Sequence, residues 1–580
     1  MSALQKSDKM GPAVSTRTKR EKLGLQRTDK SIKDIRRALK LGQKHAGNEE
    51  WAEAVKHLLV AWDAMPDDVN ILTVLAHSLV QLGVREHAVA VLQRALEVHE
   101  PTAELIDVIQ RLAMEMGFHD IAIKLSAQLL ALAPNDPGHY VNMATAYSGI
   151  GEYDDSINML QAAIPLFPNN VDLWNVLATQ VRERDGIDAA DVFFEEALRL
   201  DPNNYKVISN YSISFTRRNQ FDKALSLALR SIENNSDLTD PHIGAGQLLF
   251  MKGEMQEAWK HYAYRLSSRR QANQTQIYTH KLPQWQGEDL KGKTLLVAAE
   301  QGIGDEIMWG SYLPYLYEQA EQLIIGCDPR LVSIYSRRFP NAIVGRYVDG
   351  VVSGYRYRSF PGIEQKMANG ELAVDYCIPV ASAPSFAWKT LDDINAHPDG
   401  FLIPCPDLAQ TFKDKMQAIS SKPKIGIAWR SGLMSSSRNY LYGSIEALGP
   451  ILAMSDQVDF VNLQYGDVDE ELKLAEELHG VKIHNLPDVN LKADIEANLA
   501  IMSQCDLVIS SCSAPGMFAM SVGVPTLLMS GSAPWWRFGS KDTVPFAVDA
   551  EIFTSEDKTD WDDIISRLTA RAKERLSENK

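Results

Sequence analysis

In the first half of the chain, small apolar positions and polar, turn-forming positions return on one fixed period. Ala54, Ala88, Ala122, Ser156, Ala190, Ala224 and Ala258 lie 34 residues apart. Five positions ahead of most of them stands a small or turn residue: Gly83, Gly117, Gly151, Asp185, Asn219 and Gly253. Twelve positions after the alanine comes a helix stop, at Pro66, Pro134, Pro168 and Pro202 and one residue off at Pro101, often opening a polar turn such as Pro202-Asn203-Asn204. Two antiparallel helices pack closely only where their crossing carries small side chains, and proline ends a helix by withdrawing an N–H donor. The pattern therefore predicts a helix, turn, helix, turn unit, repeated about seven times over residues 40–270, in an all-α solenoid whose units rest on their neighbours. Tyr140, Asn142, Tyr147, Asn175, Asn210 and Tyr211 are candidates for lining its concave groove.

After Arg270 the period ends. Residues 271–287 read as a Gln-rich connection, and a new domain opens near residue 282. Strand-like runs then alternate with helical ones: Thr294–Ala299, Leu323–Cys327, a helix around Leu331–Phe339, Ala342–Gly345 and Asp375–Pro379. A second set runs through Lys424–Trp429, Asp459–Leu463, Val481–His484, Asp506–Ser510 and Pro525–Met529. This alternation predicts parallel sheets with crossover helices, in two doubly wound α/β lobes at 282–410 and 411–580. The longest charge-free stretch, Leu507–Trp536, raises the question of a membrane span, but Pro515, Gly516, Gly523 and Pro525 interrupt it. It reads as buried strand, turn, helix and strand.

Composition changes this picture in three ways. At 580 residues, 45% apolar and 23% charged, the chain belongs with multidomain globular proteins. A formal charge of −16 argues against binding nucleic acid through a basic surface. The sign is uneven: residues 1–40 carry +8 and the rest −24, so a basic tail, 1–39, precedes an acidic body. That tail lacks the apolar core of a secretory signal. Five cysteines, at 327, 377, 405, 505 and 512, form no CxxC pair, so neither a disulfide framework nor a zinc knuckle is expected. A reducing cytoplasm is the expected location.

Two segments fall where doubly wound sheets take ligands, at the carboxyl ends of strands. Glu300-Gln301-Gly302-Ile303-Gly304-Asp305 lies between the first strand and a helix expected to start near Glu306. Its glycines let a substrate approach the backbone, and Asp305 is either a general base toward an acceptor hydroxyl or the cap of that helix. Ser511-Cys512-Ser513-Ala514-Pro515-Gly516 follows a later strand and turns into a helix expected at Met517–Val522. Small hydroxyl residues at such a turn leave backbone N–H groups open to phosphate, with Arg430 and Arg438 as the nearest candidate cations.

Pro283-Gln284-Trp285-Gln286-Gly287, Leu290-Lys291-Gly292-Lys293, residues 300–305, Ile425-Gly426-Ile427-Ala428-Trp429, Asn462-Leu463-Gln464 and the block 506–529 follow one another in a recognisable order. With the repeats ahead of them, they resemble bacterial tetratricopeptide-repeat proteins ending in a heptosyltransferase-like GT-B domain, and within these the flagellin-modifying glycosyltransferases. The resemblance implies an enzyme that moves a nonulosonic-acid-type sugar from a nucleotide-sugar donor, with no metal or other cofactor, to a protein acceptor held by the repeats. Flagellin is the implied acceptor. It places the catalytic base at Asp305, the acceptor loop at Glu300, Gln301, Gly302 and Gly304, and donor contacts at Arg430, Ser431, Arg438, Gln464, Ser511, Ser513 and Gly516. Where heptosyl enzymes show Asp-Thr and then a helix His, this chain has Cys512-Ser513 and Met517, which speaks against ADP-heptose as donor. Two alternatives are a lipopolysaccharide-type heptosyltransferase and an adaptor whose GT-B part has lost catalysis. On the enzyme reading, residues 1–270 alone should bind the acceptor, and 282–580 alone should bind donor.

Overall fold

A computed structural model describes residues 32–82, 84–267, 276–352, 355–397, 399–432, 436–555 and 560–578. The chain divides into two compact units, Met1–Glu152 with Val351–Tyr355, and Tyr153–Gly350 with Arg356–Lys580. The boundary expected at 270–282 is thus not where the compact units part. The later repeats share a unit with the α/β lobes.

The repeat pattern is realised as fourteen paired helices among the described residues, from Ile32–Gly47 to Met255–Tyr262. All seven 34-spaced small residues lie on the second helix of a pair, and none has any exposed surface. The turn position five residues earlier is explained by backbone conformation: Glu49, Gly117, Gly151, Asn219 and Gly253 all have φ between 60° and 84°. In the fifth unit the helix runs on through Asp185, and the left-handed residue is Gly186, one place later than the spacing implies. Gly83 lies outside the described residues, as does the basic tail up to residue 31. The tail expected to reach residue 39 ends sooner, because a helix begins at Ile32. Asp68, Thr102, Asp136, Asn170 and Asn204, again 34 apart, cap the first helix of their units by accepting backbone N–H bonds. Two of the groove candidates bond each other, Asn210 Nδ2 to Asn175 Oδ1 at 3.1 Å, and Asn142 donates to Gln110. Tyr211 is buried, stacked on Phe194 and packed against Phe215, so it belongs to the core and not to a groove.

The strands of the α/β part are β1 (Gln276–Tyr278), β2 (Thr294–Ala298), β3 (Gln322–Cys327), β4 (Ile343–Arg346), β5 (Val348–Val352), β6 (Tyr355–Ser359) and β7 (Tyr376–Pro379), then β8 (Lys424–Ala428), β9 (Asp459–Asn462), β10 (Ile483–His484), β11 (Leu507–Ser511), β12 (Thr526–Met529) and β13 (Ala550–Phe553). The first lobe is a parallel sheet of order β4-β3-β2-β7, the second a parallel sheet of order β10-β9-β8-β11-β12-β13. Both are doubly wound, with the chain reversing direction across the sheet between β2 and β7 and between β8 and β11. Such reversals are where open α/β sheets bind ligands. In the second lobe Ile425, Ile427, Phe460, Leu507, Ile509 and Leu527 fill the core. The stretch Leu507–Trp536 resolves into β11, the helix Ala514–Ser521 and β12, buried as its pattern implies. Among the described residues no helix is long and apolar enough to cross a membrane.

The last repeat packs directly on the lobes. Trp259 Nε1 donates to the Trp388 carbonyl at 2.8 Å. Phe250 meets Phe538 edge to face at 5.3 Å, Tyr262 lies 6.1 Å from Trp309, and Trp309 lies 5.7 Å from Trp535. This aromatic joint takes side chains from the last repeat and from both lobes.

Candidate functional site

From Ala298 the chain turns through Glu300–Gly302 into the helix Ile303–Gly310, three residues earlier than expected. Gly302 occupies the cap position without a side chain to satisfy it, and Asp305 is the third helical residue. Asp305 is therefore not the N-cap residue considered for it. Its carboxylate instead takes the Gly302 N–H, as an acidic third residue does in a capping box. Gly302 has φ −73°, and only the Asp305 carboxylate lies within 4 Å of where a Cβ would sit. Neither conformation nor packing demands glycine there, which leaves the open face to whatever enters. Gly304 is different: a Cβ would sit 3.4 Å from Ala514 Cα, at the start of the helix Ala514–Ser521 in the second lobe. The N-termini of two helices, one per lobe, meet at this point.

Asp305 lines a cleft of about 650 Å³. The first lobe contributes Glu300, Gln301, Gly302, Asp328, Arg330, Tyr347, Asp349, Arg356 and Arg358; the last repeat contributes Gln247, Tyr262 and Arg265; the second lobe contributes Arg438 and Trp535. Burial, reinforced by the Glu300 charge, pushes Asp305 up to about 6, against the pull of the Gly302 N–H and Arg438. Its neighbour Glu306, fully buried and accepting the Asp328 N–H, is pushed by burial up to about 8. Burial also acts on Asp328, but bonds from Arg330 and Tyr347 outweigh it and hold that carboxyl below its ordinary value. Arg358 is 1% exposed, lies 3.6 Å over the Tyr347 ring and forks onto Asp349 at 2.7 and 2.9 Å. The cleft thus holds a carboxylate poised near neutrality among fixed guanidinium groups.

The residues expected at the donor side separate. Arg438 lines the cleft. Arg430 does not: its guanidinium is tied to Glu471, with Nε to Oε1 at 2.7 Å and Nη2 to Oε2, and it also bonds the Asp467 carbonyl. Gln464 is buried, its Oε1 accepting the Trp429 and Arg430 N–H groups at 3.0 and 2.9 Å, so its head group links strand ends and does not face the cleft. Ser431 is hydrogen-bonded to Tyr442. Ser511 and Ser513 share a 2.8 Å hydroxyl contact at the mouth of the helix, which begins at Ala514 and not at Met517 because Pro515 is favoured in a first turn. Gly516 is a packing glycine, since a Cβ would lie 2.6 Å from Leu528 and 3.2 Å from the Ser511 carbonyl.

Sequence reasoning missed Arg265, Glu306, Asp328, Arg330, Arg356 and Arg358. The alternation Tyr355-Arg356-Tyr357-Arg358 was a usable signal, because a strand with arginine on one face needs acidic partners there. Among the described residues no group of His, Cys, Asp and Glu side chains could hold a metal ion.

No family model matches the chain. It is similar to Protein FlbA of Caulobacter vibrioides, 29% identical over 467 residues that span 79% of this chain and 76% of that one. It is also similar to Tetratricopeptide repeat protein 8 of Caenorhabditis elegans, 25% identical over 198 residues covering 33% of this chain and 38% of that one. These similarities support tetratricopeptide-type repeats in the first half of the chain. A solved structure of MamA from Desulfovibrio magneticus aligns over 30% of this chain and 97% of its own, with 19% identity and a TM-score of 0.27.

Proposed function

We propose that the chain is a glycosyltransferase of GT-B type, moving a sugar from a nucleotide-sugar donor to a hydroxyl of a protein acceptor recruited by the repeats, with flagellin the first acceptor to test. The observation that carries this reading is Asp305: a carboxylate in the first turn of the helix that follows β2, half-buried, pushed up to about 6, and facing Arg438 from the other lobe. A base with a proton affinity just below neutrality is ionised at cytoplasmic pH and still basic enough to take a proton in a transition state. In the reaction, the acceptor oxygen bonds to the anomeric carbon, and its proton passes to Asp305. The anomeric carbon–oxygen bond breaks, and the nucleotide leaves with that electron pair. On this reading Arg438 and the N–H groups at the start of the helix Ala514–Ser521 receive the phosphate charge that develops.

The test is to offer the purified full chain a panel of nucleotide sugars with flagellin and follow added mass on the acceptor, comparing wild type with D305N. Transfer by the wild type that falls roughly 10²- to 10⁴-fold in D305N supports the reading. A second reading, an adaptor without catalysis, is favoured by the commitment of Arg430 and Gln464 to neighbouring protein groups. It predicts acceptor binding with no donor consumption.

A further inference from the structure

In the first lobe the crevice between β2 and β7 is the position where an open parallel sheet takes a ligand. Here a side chain of the last repeat fills it. Arg265, three residues beyond the helix Met255–Tyr262, places Nε 2.7 Å from Glu300 Oε1, and Nη2 2.9 Å from Glu300 Oε2 and 2.6 Å from Ser382 Oγ. Its Nη1 donates to the Tyr262 carbonyl, and the guanidinium lies 4.4 Å from the Tyr262 ring centre. Glu300 follows β2 and Ser382 follows β7, so one guanidinium spans both sides of the crevice. The ion pair is closed to solvent, with each side chain 4% exposed. The next residue, Gln301, donates to the Tyr262 hydroxyl at 3.0 Å.

Two consecutive residues of the loop that leads into Asp305 are therefore gripped by the last repeat. We propose that Arg265 is a positioning residue for Asp305, and that the last repeat is a wall of the reaction cleft, not only a tether for the acceptor. The proposal rests on the reading of Asp305 as a base, but the grip is independent of it. Arg265 is suited to the task because a planar fork fixes the direction of a carboxylate as a lysine cannot. It also sets the local charge. Asp305 faces Glu300 on its own loop, Tyr262 from the repeat and Arg438 from the second lobe. The helix packed against Gly304 begins with Ser513 and Ala514 and brings no charge. Without Arg265, Glu300 is a buried carboxylate with no cation, and a neighbouring carboxylate then binds its proton more tightly.

The experiment uses the full chain as wild type, R265K, R265Q and E300Q, each with and without D305N. Hydrogen exchange of peptides covering residues 299–305 should quicken about tenfold in R265Q and by less in R265K, which keeps the charge but not the fork. The pH dependence of the melting difference between each form and its D305N partner reports the Asp305 titration without any substrate. Its midpoint should move up by about one pH unit in R265Q and down in E300Q. Faster exchange with an unmoved midpoint reduces Arg265 to a structural tie and overturns the proposal, as does unchanged exchange. If R265Q does not fold, E300Q decides alone: a midpoint that stays put contradicts the proposal. Shifted midpoints in a wild-type protein that transfers no sugar leave the positioning role standing and remove the glycosyltransferase reading instead.

Discussion

The loop after β2 and the loop after β11 each border the reversal point of a doubly wound sheet, β2 as the first strand of its sheet and β11 as the strand across the reversal, and the helices that follow them meet at Gly304 and Ala514. Their chemistry is opposite. The first is ringed by Glu300, Asp305, Glu306 and Asp328, with Asp305 and Glu306 held well above ordinary carboxylate values by burial. The second offers Ser511, Cys512 and Ser513, with burial keeping the thiol neutral by pushing it up to about 12. A neutral rim around open helix N–H groups suits an anion, while a buried acidic rim suits proton transfer. One topology, used twice, can therefore divide base chemistry and phosphate chemistry between two lobes.

The largest effect expected comes from removing the repeat side of the first loop. Cutting at residue 282 takes Phe250, Trp259 and Tyr262 out of the aromatic joint, and losing a single large buried aromatic costs about 3–5 kcal/mol. The fragment 282–580 should show no cooperative melt by circular dichroism, whereas 153–580, which contains the joint, should melt cooperatively.

The next concerns the acidic rim itself. Asp305 binds its proton more tightly folded than unfolded, about 6 against an ordinary 3.8. Below the lower value both states are protonated and the difference vanishes; as pH rises between the two values the native state loses ground, and above the higher one the full penalty applies. D305N carries no such penalty. Calorimetry should find it more stable than wild type by roughly 1–3 kcal/mol at about pH 8, with the gain gone near pH 3.5.

Across the cleft, the two arginines should part company. Arg438→Ala should weaken nucleotide-sugar binding by about 1.5–3 kcal/mol with the melting temperature unchanged, because a charge-assisted contact to the donor is lost. Arg430→Ala should lower the melting temperature by leaving Glu471 without its cation and with only the Trp429 Nε1 bond, and change donor affinity little. Titration calorimetry on both variants separates these outcomes; equal losses of affinity would put both side chains at the donor.

The smallest effect belongs to the last repeat. His242 and His261, their Nδ1 atoms 2.8 Å apart, are both held below the ordinary histidine value by burial. Stability from this pair is present above the ordinary value of 6.5 and lost as pH falls below it, by about 1 kcal/mol or less. His242→Asn should flatten the melting temperature between about pH 5 and 7.

Much of the scaffold was legible because it repeats. The 34-residue phase of buried alanines is a packing requirement, and ten strand and helix runs of the lobes announce themselves by apolar blocks. β1, β5, β6 and β13 escaped notice because they are short or carry charge: Arg358 sits in β6 with its guanidinium buried against Asp349, which inverts the usual pattern. At the site, Asp305 and Arg438 could be read from motif position, since each follows the first strand of its sheet and lies in or near the segment where such sheets take ligands. Arg265 could not, because its partner Glu300 is 35 residues away and Ser382 is 117, and no local spacing announces a contact made by folding. Arg430 and Gln464 misled for the converse reason: strand-end residues can be consumed by their own lobe.

The central claim is that Asp305 removes a proton during transfer at a cleft assembled from both lobes and the last repeat. The most direct measurement is donor turnover by full-length wild type and D305N at matched donor occupancy, with flagellin present, followed as sugar mass gained by the acceptor. The account predicts measurable transfer by wild type, a fall of roughly 10²- to 10⁴-fold in D305N, and donor affinity within about twofold of wild type. Transfer by D305N at the wild-type rate would contradict it.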